Sequence, residues 1–192
     1  MGLKLRVLTC GFLLAGTALP AAGQEPDHRS GFWWSVGFSY GTVSVSCDIC
    51  SNGRGGGLSL TGVVGATLNP ELRLGVEVDG WRQSNEGLNE YLGVLSAVMY
   101  WYPRPSGGLF LKGGAGYVTY RISDEDDVLK SSGFGPQIGV GYEVRVWRSA
   151  SIQPYLNAIV TLPTGQLELN GDRQADNVNL SLLQVGISVT WH

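Results

Sequence analysis

Of the 192 residues only 15% are charged, the chain carries 29 glycines and 8 prolines, and its formal net charge is −3. An ordinary soluble domain is roughly 25% charged, so an ordinary soluble surface is excluded, while an apolar content of 43% excludes a disordered chain. Beyond the first twenty or so residues no apolar run approaches the ~20 residues that a membrane-crossing helix needs. A chain that is apolar in total but not in unbroken runs fits a transmembrane β-barrel, in which only alternate residues face lipid.

The N-terminal segment reads as an export signal. Lys4 and Arg6 precede an apolar stretch from Val7 to Leu19, and Pro20-Ala21-Ala22-Gly23 supplies small residues for cleavage after Gly23. At 1.5 Å per residue that stretch spans about 20 Å, short of a ~30 Å hydrocarbon core. Residues 1–23 are therefore expected to be a signal peptide and residues 24–192 one barrel domain. Removing Lys4 and Arg6 makes the mature net charge about −5, which gives no reason to expect a nucleic-acid partner. Cys47 and Cys50 then remain as an even pair in an exported chain, and are expected to form a disulfide staple. Thioredoxin-like chemistry would want a helix after Cys47, and none is signalled. A zinc site would need two further ligands, and the only histidines are His28 and His192.

From Gly31 onward the period is two. The first strand, Phe32 to Gly41, sets Phe32, Trp34, Val36, Phe38 and Tyr40 against Trp33, Ser35, Gly37 and Ser39. The second, Leu58 to Leu68, alternates Leu58, Leu60, Val64 and Leu68 with Ser59, Thr61 and Thr67. In the third, Leu72, Leu74, Val76 and Val78 oppose Arg73, Glu77, Asp79 and Trp81. The fourth, Tyr91 to Tyr102, is apolar on both faces, with Leu95, Ala97, Met99 and Trp101 assigned outward. The fifth, Leu109 to Arg121, sets Leu111, Ala115 and Tyr117 against Lys112, Gly114 and Gly116. The sixth, Phe134 to Val146, sets Ile138, Val140, Tyr142 and Val144 against Gln137, Glu143 and Arg145. The seventh, Ile152 to Thr161, contains Pro154, which cannot donate to a ladder and signals a bulge or a first turn. The eighth, Leu180 to Trp191, alternates Leu183, Val185, Ile187 and Val189 with Gln184, Gly186 and Ser188.

Short connections at Asn69-Pro70, Arg104 to Gly107 and Trp147 to Ser151 alternate with longer polar ones: Thr42 to Gly56, Gln83 to Asn89, Ser123 to Ser132 and Pro163 to Asp176. Tight turns at one rim and long loops at the other define an all-β, eight-stranded, antiparallel, up-and-down transmembrane barrel. A soluble ligand-carrying barrel has the same period with its faces exchanged. Its solvated face would be dense in Lys and Glu, whereas the polar face here is mostly Gly, Ser, Thr, Asn and Gln, which suits a crowded eight-stranded lumen. Phe32, Trp33, Trp34, Tyr100, Trp101, Tyr102, Phe110, Trp147, Tyr155 and Trp191 gather near the short turns and are expected to form an interfacial girdle.

The last strand resembles the C-terminal signal of bacterial outer-membrane barrels: Gln184, Gly186, Val189 and Trp191 stand at the pattern's polar, glycine, apolar and aromatic positions, with His192 an extra residue after the aromatic. Together with Lys112-Gly113-Gly114-Ala115-Gly116-Tyr117 and Gly139-Val140-Gly141-Tyr142, the region from Gly31 to Trp191 resembles small barrels of the OmpA and OmpX kind. The resemblance implies location in the outer membrane of a Gram-negative cell, contact with outer-membrane lipid and lipopolysaccharide, recognition of the last strand by the barrel-assembly machinery, and outer loops free to meet an extracellular ligand. It does not imply a peptidoglycan-binding domain, since no residues follow the barrel.

Arg73, Glu77, Asp79, Lys112, Glu143 and Arg145 fall on the lumen face and are expected to pair, because isolated charges there would be strongly destabilising. Such a network would close the lumen and give a structural or surface-interaction barrel; rearranging pairs would instead give a narrow ion or small-solute pore. A lipid-modifying enzyme is the third reading, disfavoured because neither histidine falls on a strand face, so that a Ser-His-acid set is not expected. Asp124-Glu125-Asp126-Asp127 reads as a solvated acidic loop, lacking the alternate spacing and glycine turn of a calcium cage. No cofactor and no metal are expected.

Overall fold

The computed structural model describes residues 29–46, 54–85, 88–123, 128–163, 165–170 and 172–192. The expected signal peptide, His28, the expected Cys47–Cys50 disulfide and the acidic run at 124–127 lie outside the described residues. Ten strand segments follow one another: β1 (Gly31–Ser46), β2 (Arg54–Asn69), β3 (Leu72–Asn85), β4 (Leu88–Trp101), β5 (Leu109–Ser123), β6 (Val128–Tyr142), β7 (Val144–Trp147), β8 (Ala150–Val160), β9 (Gly165–Leu169) and β10 (Asp172–Trp191). They make eight barrel strands, since β6 with β7 and β8 with β9 are each one strand with an interruption. All pairings are antiparallel, and β1 against β10, from Trp34↔Trp191 to Ser46↔Asn179, closes the barrel.

The interruption between β6 and β7 has a local cause. Gly141 pairs with Tyr155 and Val144 with Ile152, so the register is the same on both sides of the gap. Opposite the gap stands Pro154, which has no N–H to donate towards β6, while on the other edge of the strand the Glu143 N–H continues the β5 register by donating to the Gly108 carbonyl at 2.7 Å. The expected bulge or first turn is thus a missing rung without a register shift.

Alternation sorts the side chains as the sequence predicts, including the ambiguous fourth strand: Leu95, Met99 and Trp101 face outward, while Val94, Val98 and Tyr100 are buried. The exterior is a continuous apolar belt that includes Phe38, Leu60, Val76, Ile138 and Ile187, an area far beyond what a soluble monomer exposes. Two expectations are corrected. Strands occupy much of the chain expected to form long outer loops: β1 runs on to Ser46 and β2 begins at Arg54, β3 and β4 reach Asn85 and Leu88, β5 and β6 reach Ser123 and Val128, and β9 and β10 cover Gly165–Leu169 and Asp172–Trp191. Above the apolar belt the hydrophobic contrast between faces fades, so hydropathy reads loop where the backbone ladder continues. The girdle also divides. Phe32, Trp34, Trp101 and Trp147 are exposed on the outer face, whereas Trp33, Tyr100, Tyr102 and Phe110 are buried inside and Tyr155 packs against them.

Candidate functional site: the barrel interior

The interior is built in three tiers, each set by which inward positions carry which residue type. The outer tier is apolar: Val43, Trp81, Leu92, Val94, Val118, Tyr120, Ile159, Leu167, Val178, Leu180 and Leu182 pack into one buried cluster. The Trp81 indole N–H donates to the Gly41 carbonyl at 2.9 Å, and the Tyr120 hydroxyl to Glu90 at 2.6 Å. Nothing in the polar count of the lumen face predicted this plug. Its signal was the run of apolar residues on both faces at the outer ends of the fourth and eighth strands.

The middle tier is polar and ionic. Lys112 Nζ lies 2.9 Å from both carboxylate oxygens of Glu77, with both side chains buried. Glu77 also accepts from the Tyr100 hydroxyl at 3.2 Å and from the Gln137 amide. Gln137 continues to Asn157 at 3.1 Å, and Asn157 to Gln184 at 2.8 Å. Asp79 accepts from the Thr61 hydroxyl and from Gln184 at 3.4 Å. Eight side chains from seven barrel strands thus form one connected network, in which the uncharged amides satisfy carboxylate lone pairs that a single lysine cannot reach.

The inner tier converges on Glu143. Its Oε2 receives the Tyr102 hydroxyl at 2.7 Å and lies 3.4 Å from Arg73 and from Arg29; its Oε1 lies 3.1 Å from His192 Nε2. Arg29 stacks over the Tyr102 ring at 3.8 Å and donates to the Pro105 and Gly107 carbonyls at 2.7 and 2.6 Å. Of the six charges expected in the lumen, Arg73, Glu77, Asp79, Lys112 and Glu143 are buried inside. Arg145 stands apart: its guanidinium donates to the carbonyls of Trp147 and Arg148 in the exposed turn. Arg29 and His192 take part in this tier and were not foreseen, since both lie just outside the periodic strands.

His192 overturns one premise of the sequence reading, because its ring reaches inward to both Glu143 and Ser151 and so brings a serine, a histidine and an acid together. The geometry is nevertheless unlike a triad. Nδ1 sits 3.2 Å from an Arg73 nitrogen, which can only donate, so Nδ1 accepts and the ring proton lies on Nε2. Ser151 Oγ is 3.3 Å from that same Nε2. A base must present a lone pair to the serine and its N–H to the acid, whereas here one protonated nitrogen faces both.

Each position of the C-terminal pattern has a place in the barrel. Gln184 is buried in the middle tier, and a Cβ at Gly186 would come within 2.5 Å of Ser39 Cβ and 2.7 Å of the Phe38 carbonyl. Val189 is half-buried, and Trp191 stacks on Trp34 across the closing seam at 4.1 Å with rings 10° from parallel. Among the described residues no group of three or more His, Cys, Asp or Glu is arranged to hold a metal ion.

This is the fold of the small eight-stranded outer-membrane barrels. The crystal structure of Neisserial surface protein A matches with a TM-score of 0.51 at 19% identity, over 83% of this chain and 97% of that one. Ail, the attachment invasion locus protein of Yersinia pestis, matches at 0.50 and 14% identity over 84% and 99%. The solid-state NMR structure of the outer membrane protein AlkL in lipid bilayers matches at 0.50 and 12% identity over 100% and 97%. At these identities the likeness is one of fold. No protein-family model matches the chain, and no curated protein matches it in sequence. The closed sheet and its apolar belt are those of an integral outer-membrane protein.

Proposed function

We propose that the chain is an outer-membrane barrel with a structural or surface-interaction role, non-enzymatic and closed to solutes. The observation that supports this reading is the close packing of the described interior side chains. The cavity beside Glu77, Lys112 and Tyr155 has a volume of about 20 Å³, room for about one water molecule, and the apolar tier lies beyond it. Eight strands leave an interior that side chains fill, whereas open aqueous channels are built from about 16. The orientation of His192 supports the absence of serine chemistry. Planar-bilayer recordings test the reading: no discrete conductance steps above background are expected, and reproducible steps would replace it with a narrow pore. Lipid A deacylation that disappears in His192→Ala would replace it with an enzyme.

The same proposal includes cleavage of the signal peptide after Gly23, a Cys47–Cys50 disulfide, delivery to the barrel-assembly machinery through Gln184, Gly186, Val189 and Trp191, and contact with lipopolysaccharide at the outer rim. The outer hairpins are the surface left for an extracellular ligand.

A further inference from the structure

One row of side chains on the barrel's outer face breaks the apolar belt in a patterned way. Register places Arg82 beside Tyr91, Tyr91 beside Arg121 and Arg121 beside Lys130, so that four adjacent strands carry the four residues at one level. All four are exposed on the face that points away from the lumen. Strands lie about 4.8 Å apart, so Arg82 and Arg121 stand about 10 Å from each other with the tyrosine between them. The Arg82 guanidinium lies 5.2 Å from the centre of the Tyr91 ring, and Arg121 Nε donates to Ser123 Oγ at 3.0 Å, which fixes both heads at the rim. Tyr117 and Phe134 are paired neighbours on the same face, four residues inward from Arg121 and Lys130, so the cations sit just above the interfacial aromatics.

Directly beneath this row the next level reads Gly80, Gly93, Thr119 and Ser132. The small residues leave two adjoining grooves of about 500 and 490 Å³, and Thr119 and Arg121 line both. The barrel's own packing does not require this opening. A Cβ at Gly80 would meet nothing within 4 Å, and one at Gly93 would meet only Thr119 Oγ1 at 3.1 Å.

We propose that this face is a binding site for a phosphorylated glycolipid of the outer leaflet, with Arg82 and Arg121 holding phosphate groups and the groove over Gly80 and Gly93 seating the acylated sugar. Guanidinium forks bind phosphate oxygens in bidentate fashion. A cation row at headgroup height above an apolar belt satisfies both halves of such an amphiphile. Lys130 adds charge at the edge, tempered by Glu168 beside it on β9. The proposal rests on the membrane-barrel reading.

The test is a titration by native mass spectrometry of the full refolded chain in detergent, with EDTA present so that divalent bridging does not contribute. The probes are diphosphorylated lipid A and its dephosphorylated form. The wild-type chain should hold the diphosphorylated lipid at least tenfold more tightly than the dephosphorylated one, and Arg82→Gln with Arg121→Gln should abolish that preference. Gly80→Val, which fills the groove without touching the cations, should weaken both lipids threefold or more. A double variant that retains the wild-type preference overturns the site, as does a folded wild-type chain that shows none. Heat-modifiable gel mobility of each sample reads the barrel separately: a wild-type chain with no mobility shift overturns the membrane-barrel reading itself.

Discussion

Replacing Lys112 with methionine keeps the length and apolar stem of the side chain and removes only its charge. In the barrel that charge lies 2.9 Å from both oxygens of Glu77, and the two side chains are only 6% and 1% exposed. Breaking a buried pair by removing one partner costs about 3–5 kcal/mol. Glu77 keeps two donors, Tyr100 and Gln137, so the cost should fall at the lower end, about 3 kcal/mol. Asp79, on the same strand and lumen face, prevents a lower value, because without the ammonium two acidic side chains share one interior. Glu77→Gln should cost a similar amount by stranding Lys112, while the double variant, which buries no charge at this point, should fall only about 1–2 kcal/mol below wild type. The coupling energy is then about 4–5 kcal/mol, well outside the few tenths expected of independent sites. Urea unfolding of the chain in phospholipid vesicles, followed by tryptophan fluorescence, measures all four corners of the cycle. Single substitutions that cost under about 1 kcal/mol and add without coupling would refute the account of the middle tier.

At the inner tier, Glu143→Gln removes the charge on which Arg29, Arg73 and His192 converge and should cost about 3 kcal/mol, whereas His192→Ala removes one arm and should cost about 1 kcal/mol; the reverse order in the same urea assay would contradict the convergence. Gly135→Ala should prevent the heat-modifiable gel shift, since its Cβ would lie 2.0 Å from the Val160 carbonyl oxygen, while Gly62→Ala, with nothing within 4 Å, should change stability by less than about 0.5 kcal/mol. Trp191→Ala removes the ring stacked on Trp34 and should lower the yield of closed barrel more than Val189→Ala does, as read by gel mobility after refolding. For Cys47 and Cys50, maleimide labelling of exported protein should find no reactive thiol until a reductant is added; two reactive thiols would remove the staple.

The fold was legible because a closed sheet forces a strict inward and outward choice at every position, and Leu74, Val76 and Val78 against Arg73, Glu77 and Asp79 leave only one phase. The ends were less legible. From Thr42 to Ser46 and from Asp172 to Asn179 the strands continue past the belt, where hydropathy no longer marks a face. The interior charges were readable from their parity, but parity places a side chain's root and not its head. Arg145 has lumen parity, yet its long stem carries the guanidinium to the turn carbonyls. Tyr100, Tyr102 and Phe110 resemble girdle residues in composition and sit near the turns, yet their inward parity assigns them to the core. Arg29 and His192 flank the first and last strands, where no period exists to reveal that their side chains fold back into the barrel.

The two characters of the interior bear on how such a barrel enters a bilayer. Before the sheet closes, a hairpin exposes both of its faces, and whatever will line the lumen must meet hydrocarbon. The leading tips here carry Trp81, Leu92, Val94, Val118, Leu180 and Leu182 on the lumen face, with Val78, Leu95 and Leu183 on the other. The lumen-face lining of the outer half can therefore meet hydrocarbon with little penalty, while the outer-face cations Arg82, Arg121 and Lys130 must cross with the leading tips. The lumen charges Arg73, Glu77, Asp79, Lys112 and Glu143 trail behind, so their own desolvation cost is postponed to the final stage of passage, when neighbouring strands can neutralise one another.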